Sequence, residues 1–226
     1  MPAKHAVAEP FAVKDCALIA IATGKRAQTL REMRDCLACI DAASLYYHFW
    51  GGLLRPKFVD PEYNNDFAAW ARHALHDSPL AERLGVIDPT AYDDLEALRA
   101  ELLDVVETRL DDREYVPWAK ADQQFSFIRS QIVVFDTARR IERPEALSEH
   151  LPQLSLGSVF YHFIDARRRN PERYDDFRRW LERTGDEHAG LWRDLAAVDY
   201  YFVPLSALRA QLAELFGRYF ALKVVA

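Results

Sequence analysis

Cysteine is scarce in this chain of 226 residues, with three, at positions 16, 36 and 39. So small and odd a number excludes a disulfide framework and predicts reduced thiols. Long apolar runs are missing too. The longest covers residues 16–22, far short of the ~20 residues that a membrane span needs. Residues 1–10 have neither an apolar core nor a cleavage pattern, so no signal peptide is expected and the protein reads as cytoplasmic. Glycine is sparse, at 8 residues, and Gly24-Lys25-Arg26 lacks the upstream glycine and following hydroxyl residue of a nucleotide P-loop. Lysine supplies only 6 of the 29 basic residues, which carries little functional weight.

What is present is an ordinary folded composition. Half the residues are hydrophobic and 28% are charged, too apolar for disorder. The length allows one large domain or two small ones. The net charge of −6 argues against a general nucleic-acid binder.

The chain reads as a duplication. Residues 11–49 begin FAVKDC and end SLYYHF; residues 125–163 begin FSFIRS and end SVFYHF. At a constant offset of 114, Thr23 matches Thr137, Arg26 matches Arg140, Ser44 matches Ser158, and Tyr47-His48-Phe49 matches Tyr161-His162-Phe163. The offset then becomes 110, pairing Asp66-Phe67 with Asp176-Phe177, Trp70 with Trp180, and Leu95, Leu98, Arg99 and Leu102 with Leu205, Leu208, Arg209 and Leu212. The expected organisation is a tail at 1–10, a first repeat at 11–110, a linker at 111–124 containing Pro117, and a second repeat at 125–226, the repeats packing as one compact unit.

Each repeat opens on an apolar segment, residues 17–22 and 132–135. The β-branched run in the second copy favours a strand. A basic loop is expected next, Thr23-Gly24-Lys25-Arg26 in one copy and Thr137-Ala138-Arg139-Arg140 in the other. Helix A starts at a Thr29/Glu32 capping box or at Pro144. It buries Leu30, Met33, Leu37 and Ile40, with Leu147, Leu151 and Leu154 as counterparts. Ser44 and Ser158 are plausible N-caps of helix B. Helix C carries Phe67, Trp70, Ala71, Ala74 and Leu75, and helix D carries Leu95, Leu98, Leu102, Val105 and Val106. Asp93 and Glu96 could form its capping box. The fold class is therefore mainly α with a minor β element (α+β), as two tandem pseudo-twofold-related repeats of about one strand and four helices. A lone strand is unstable, so the two strands should pair.

His48 and His162 are weak catalytic candidates. A histidine on an apolar face is more often a core residue with partnered nitrogens. The functional alternative has Asp66 and Asp176 orienting the rings, but N-capping of helix C is the favoured role for those aspartates. The basic loops are better anion-site candidates, through Thr23, Lys25, Arg26, Thr137, Arg139 and Arg140. A loop before a helix N-terminus attracts phosphate, sulfate or carboxylate, although exposed charge is common on any surface. Cys36 and Cys39 fall late in helix A, the wrong place for a redox pair, and read as small buried residues. His73 and His76 are too few for a metal site, so no metal or cofactor is expected. Arg167, Arg168, Arg169, Arg173, Arg178 and Arg179 are interspersed with acids and read as a salt-bridged surface.

Ser44-Leu-Tyr-Tyr-His-Phe49, Asn65-Asp66-Phe67 with Trp70, and Ser158-Val-Phe-Tyr-His-Phe163, followed by a Leu-Arg helix, resemble a bacterial and archaeal family of domains of unknown function. The resemblance runs from Phe11 through essentially the whole chain. It implies a prokaryotic origin and assigns no catalytic residue.

The leading expectation is a non-enzymatic binding, interaction or regulatory protein, taking an anionic small molecule at the basic loops or a protein partner. The alternative is an enzyme or enzyme subunit acting on a phosphorylated or carboxylated metabolite, with a histidine as acid or base. Neither membrane nor nucleic acid is an expected partner. A homodimer is compatible with the aromatic content.

Overall fold

A computed structural model of the chain describes residues 9–55, 61–112, 119–184 and 188–225. Most of the expected tail, and Pro117 of the expected linker, lie outside the described residues. The fold is mainly helical with one two-stranded antiparallel sheet.

Strand β1 spans Phe11–Ala27. It is followed by α1 (Leu30–Leu37), α2 (Ala42–Trp50), α3 (Asp66–His73), α4 (Ser78–Gly85) and α5 (Leu95–Leu110). Strand β2 spans Phe125–Ile141. After it come α6 (Leu147–His150), α7 (Leu156–Val159), a π-helical turn (Phe160–Asp165), α8 (Ala166–Arg169), α9 (Asp176–Thr184), α10 (Ala189–Ala196) and α11 (Leu205–Val225).

The chain divides into two compact units that exchange strands. The N-unit is Leu18–Ile132 and holds α1–α5; the C-unit is Met1–Ala17 plus Val133–Ala226 and holds α6–α11. The first part of β1 thus belongs with the helices of the second half, and the first part of β2 with those of the first half. Alternation explains why. Phe11 and Val13 are buried in the C-unit, Phe125 and Phe127 in the N-unit. Each pair is spaced by two, which puts both side chains on one face of a strand. The apolar centres of the strands are more open: Ile19 is 49% exposed and Phe135 51%.

The helix starts follow local chemistry. Thr29 and Glu32 form the expected capping box of α1. Leu30, Met33, Leu37 and Ile40 are buried, as are Leu147, Leu151 and Leu154. Other caps fall elsewhere than expected. Asp41, not Ser44, caps α2, and Ser155, not Ser158, caps α7. Asp94, not Asp93, caps α5 by accepting from Glu96 and Ala97. Helix C is broken: α3 stops at His73, and a further helix, α4, starts behind Asp77, which accepts from the Leu80 amide at 3.1 Å. His76 adopts φ 57°, a left-handed turn between the two. Neither α4 nor α10 was expected.

Candidate functional site

In the N-unit, α2 ends on Tyr47, His48, Phe49 and Trp50, all buried. His48 is 3% exposed and packs on Phe125 at 4.7 Å and Phe67 at 5.3 Å between centroids. Its Nδ1 lies 2.8 Å from Asp66 Oδ2. The Ile128 backbone N–H donates to its Nε2 at 3.1 Å. An amide N–H can only donate, so Nε2 is unprotonated and Nδ1 carries the proton to Asp66. Burial pushes the His48 pKa down, against the opposing pull of Asp66. The imidazole is therefore neutral, with both nitrogens engaged.

The C-unit repeats this arrangement. His162 Nδ1 lies 2.8 Å from Asp176 Oδ2, and the Lys14 backbone N–H donates to Nε2 at 2.9 Å. Burial pushes the Asp176 carboxyl up, but the hydrogen bond from His162 and the charge of Arg169 outweigh it and hold the carboxyl below its usual value.

The aspartates are thus orienting carboxylates and not caps. In α3 the cap is Asn65, which accepts from the Ala68 amide at 2.8 Å. In α9 Asp175 accepts from the Arg178 amide at 2.9 Å. Each orienting carboxylate stands at the first helical position, where the helix dipole favours negative charge.

Other matched residues make further main-chain contacts within each unit. Trp70 Nε1 donates to the Gln123 carbonyl at 2.8 Å in the N-unit, and Trp180 Nε1 to the Glu9 carbonyl at 2.7 Å in the C-unit. Ser44 Oγ donates to the Ile128 carbonyl at 2.8 Å. Arg99 donates to the carbonyls of Leu37 and Ile40, and Arg209 to that of Leu154 at 2.8 Å.

The basic segments are not loops. Thr23, Lys25 and Arg26 lie within β1, and Thr137, Arg139 and Arg140 within β2. Each strand contains one positive-φ residue, Gly24 at 78° and Ala138 at 58°. Thr23 Oγ1 donates to the Phe127 carbonyl at 2.7 Å, and Thr137 Oγ1 to that of Val13 at 2.5 Å. Two of the basic side chains have polar partners. Arg140 makes a two-pronged pair with Asp136 at 2.9 and 2.7 Å, and Lys25 Nζ lies 2.8 Å from Cys39 Sγ. At the start of α1 the amides of Gln28 and Thr29 already donate to the Glu32 carboxylate at 2.7 and 3.2 Å. These two amides are thus occupied by the chain's own carboxylate. Arg26 and Arg139 are exposed.

Cys39 is exposed and Cys36 half-buried, contrary to the expected burial. His73 pairs with Glu62 at 3.3 Å and His76 with Asp122 at 2.6 Å, so the two do not converge. Among the described residues no group of three or more His, Cys, Asp or Glu is placed to hold a metal. Arg167 reaches Asp175 at 3.3 Å, while Arg168 and Arg169 close on Asp165 at 2.9 and 2.8 Å.

A cleft of ≈ 730 Å³ opens beside His48 in the N-unit, lined among others by Tyr47, Arg55, Asp66, Trp70, His73 and Asp122. Sequence reasoning missed Arg55. Its NH2 reaches Asp66 Oδ2 at 3.3 Å, and its guanidinium lies 4.8 Å from the centre of the Tyr47 ring. Arg169 does the same in the C-unit, 3.0 Å from Asp176 and 3.9 Å from the Tyr161 ring centre. Extending the offset of 114 by six residues beyond Phe49 would have paired the two arginines.

The model of DUF5752, a family of unknown function, matches residues 8–217. The chain belongs to that family. It is also similar to a solved structure, "The structure of OrfY from Thermoproteus tenax", at 26% identity and a TM-score of 0.77, over 94% of this chain and 97% of that one. Among curated proteins nothing matches. In this DUF5752 chain no described helix is long and apolar enough to cross a membrane.

Proposed function

We propose that this DUF5752 protein is a non-catalytic binding protein, with its ligand site in the cleft of the N-unit. The observation that carries this reading is the state of the histidines. A general acid or base needs a ring nitrogen within reach of substrate. His48 and His162 each commit one nitrogen to a carboxylate and the other to a backbone amide of the exchanged strand. They act as clasps that hold a strand to two helices. The recurrence of the clasp at matched positions supports reading the two halves as copies of one duplicated unit.

The enzyme reading has one observation in its favour: His48 lines the cleft beside Asp66 and Arg55. Against it, Nε2, the nitrogen that would meet substrate, receives the Ile128 amide. The test is to incubate the full chain with a defined library of small metabolites and follow every component by mass spectrometry. A compound retained by the protein and recovered chemically unchanged is expected. Turnover abolished by His48→Gln would overturn the non-catalytic reading.

A further inference from the structure

The two units differ at one position that decides what the cleft can take. In the C-unit Arg169 is neutralised from two sides. Its Nε donates to Asp165 at 2.8 Å, and its NH2 to Asp176 at 3.0 Å and to the Tyr161 carbonyl at 3.0 Å. Asp165 is 1% exposed, an internal carboxylate that fixes the guanidinium. At the offset of 114 that pairs Arg55 with Arg169, Asp165 pairs with Gly51. The N-unit therefore has the arginine, the tyrosine beneath it and the histidine-bound aspartate, but a glycine where the C-unit has its internal carboxylate. Among the described residues Arg55 has one hydrogen-bond partner, Asp66, at the long distance of 3.3 Å. Its side chain is 46% exposed, against 30% for Arg169.

We propose that the N-unit cleft binds a carboxylate-bearing small molecule, whose carboxylate meets Arg55 in the role that Asp165 plays for Arg169. This rests on the reading of the cleft as a binding site. A planar guanidinium with unused donors on one edge matches a carboxylate in two-pronged geometry. Tyr47 and Trp70 supply aromatic surface in the same cleft. Phosphate fits less well. Asp66 and Asp122 line the cleft with Arg55, and their charges oppose a dianion more strongly than a single carboxylate.

The probes are benzoate, its neutral isostere benzamide, and inorganic phosphate, each titrated into the full chain at constant ionic strength. Amide shifts of residues 122–128 and the Arg55 side-chain resonance provide the readout. Saturable shifts are expected with benzoate. Benzamide and phosphate should bind at least about tenfold more weakly, in keeping with the strength of charge-assisted hydrogen bonds. Arg55→Gln should lower benzoate affinity about tenfold or more, while Arg218→Gln, on exposed α11 surface, should leave it unchanged. Gly51→Asp, which supplies an internal carboxylate, should also weaken binding; its Cβ would sit 3.0 Å from the Tyr47 ring, so Arg55→Gln carries the test if that variant misfolds. Benzamide binding as well as benzoate in the cleft would overturn this proposal and leave the binding-protein reading standing. Phosphate binding equal to benzoate would overturn the carboxylate preference. Absence of any saturable shift would overturn the site itself. Turnover of a probe would overturn the non-catalytic reading instead.

Discussion

Gly157 lies against the backbone of Cys16: a Cβ built at Gly157 would stand 2.5 Å from the Cys16 carbonyl oxygen and 2.2 Å from Asp15 Oδ1. Cys16 Sγ in turn donates to the Gly157 carbonyl at 3.3 Å. Helix α7 and the first part of β1 thus touch through main chain, which only glycine allows. Burial of the thiol pushes the Cys16 pKa up to about 12, so this cysteine is a packing residue and not a nucleophile.

Gly157→Ala should therefore destabilise the C-unit by about 1–3 kcal/mol, the usual cost of overpacking. The control is Gly217→Ala in α11, where a new Cβ meets nothing within 4 Å. It should stabilise by about 0.5–1 kcal/mol, because alanine loses less backbone freedom in a helix. Urea denaturation of both variants checks the contrast. Equal effects in the same direction would remove the close-approach argument.

His48→Ala should cost about 3 kcal/mol, since it leaves the Ile128 amide without its acceptor and opens a void among aromatic rings. Loss of exchange protection at the Ile128 amide reports it directly. The pH dependence follows from the lowered pKa. The folded state binds the His48 proton less readily than the unfolded state, whose value is 6.5. Stability from this group is thus fully present above pH 6.5 and declines as acid is added below it. In His48→Gln that part of the decline should vanish.

Asp175 gives the opposite sign. Burial pushes its carboxyl from 3.8 up to about 6, with Arg167 and the Arg178 amide pulling it down. Between those values the folded state holds more protons than the unfolded one, so the contribution of this group falls as pH rises from about 4 to about 6. Wild type measured against Asp175→Asn should gain relative stability as pH is lowered through that window. A difference independent of pH would sink the assignment.

Arg99 fastens the carbonyls that end α1, taking those of Leu37 and Ile40 while pairing with Glu96. Arg99→Met keeps much of the apolar stem and removes the donors. It should cost about 1–3 kcal/mol. Thermal unfolding measures the loss, and Arg83→Met, on an exposed face of α4, should shift the midpoint little.

Much of the fold was legible because it is written locally. The stripe Phe67, Trp70, Ala71 marks a helix face, and Thr29 with Glu32 marks a helix start within four residues of chain. Local signals also misled. Asp66 sits where a cap belongs, yet Asn65 beside it caps as well, and sequence does not say which of two neighbours turns inward. The basic segments look like loops because charge and Gly24 suggest exposure; these stretches of strand are exposed too.

By itself, the sequence determined the helical class, the matched pairs of residues and most of the buried faces, since these depend on periodicity and offset alone. Only the tertiary structure decided what those residues do. The amide that fixes His48 is 80 residues away along the chain, and the one that fixes His162 is 148 residues away. No local pattern encodes such a partner. The exchange of strands brings it within 3.1 Å, so that both ring nitrogens of His48 have partners. The substitution of Gly51 for Asp165 at matched positions likewise acquires meaning only when Arg55 is seen beside an open cleft.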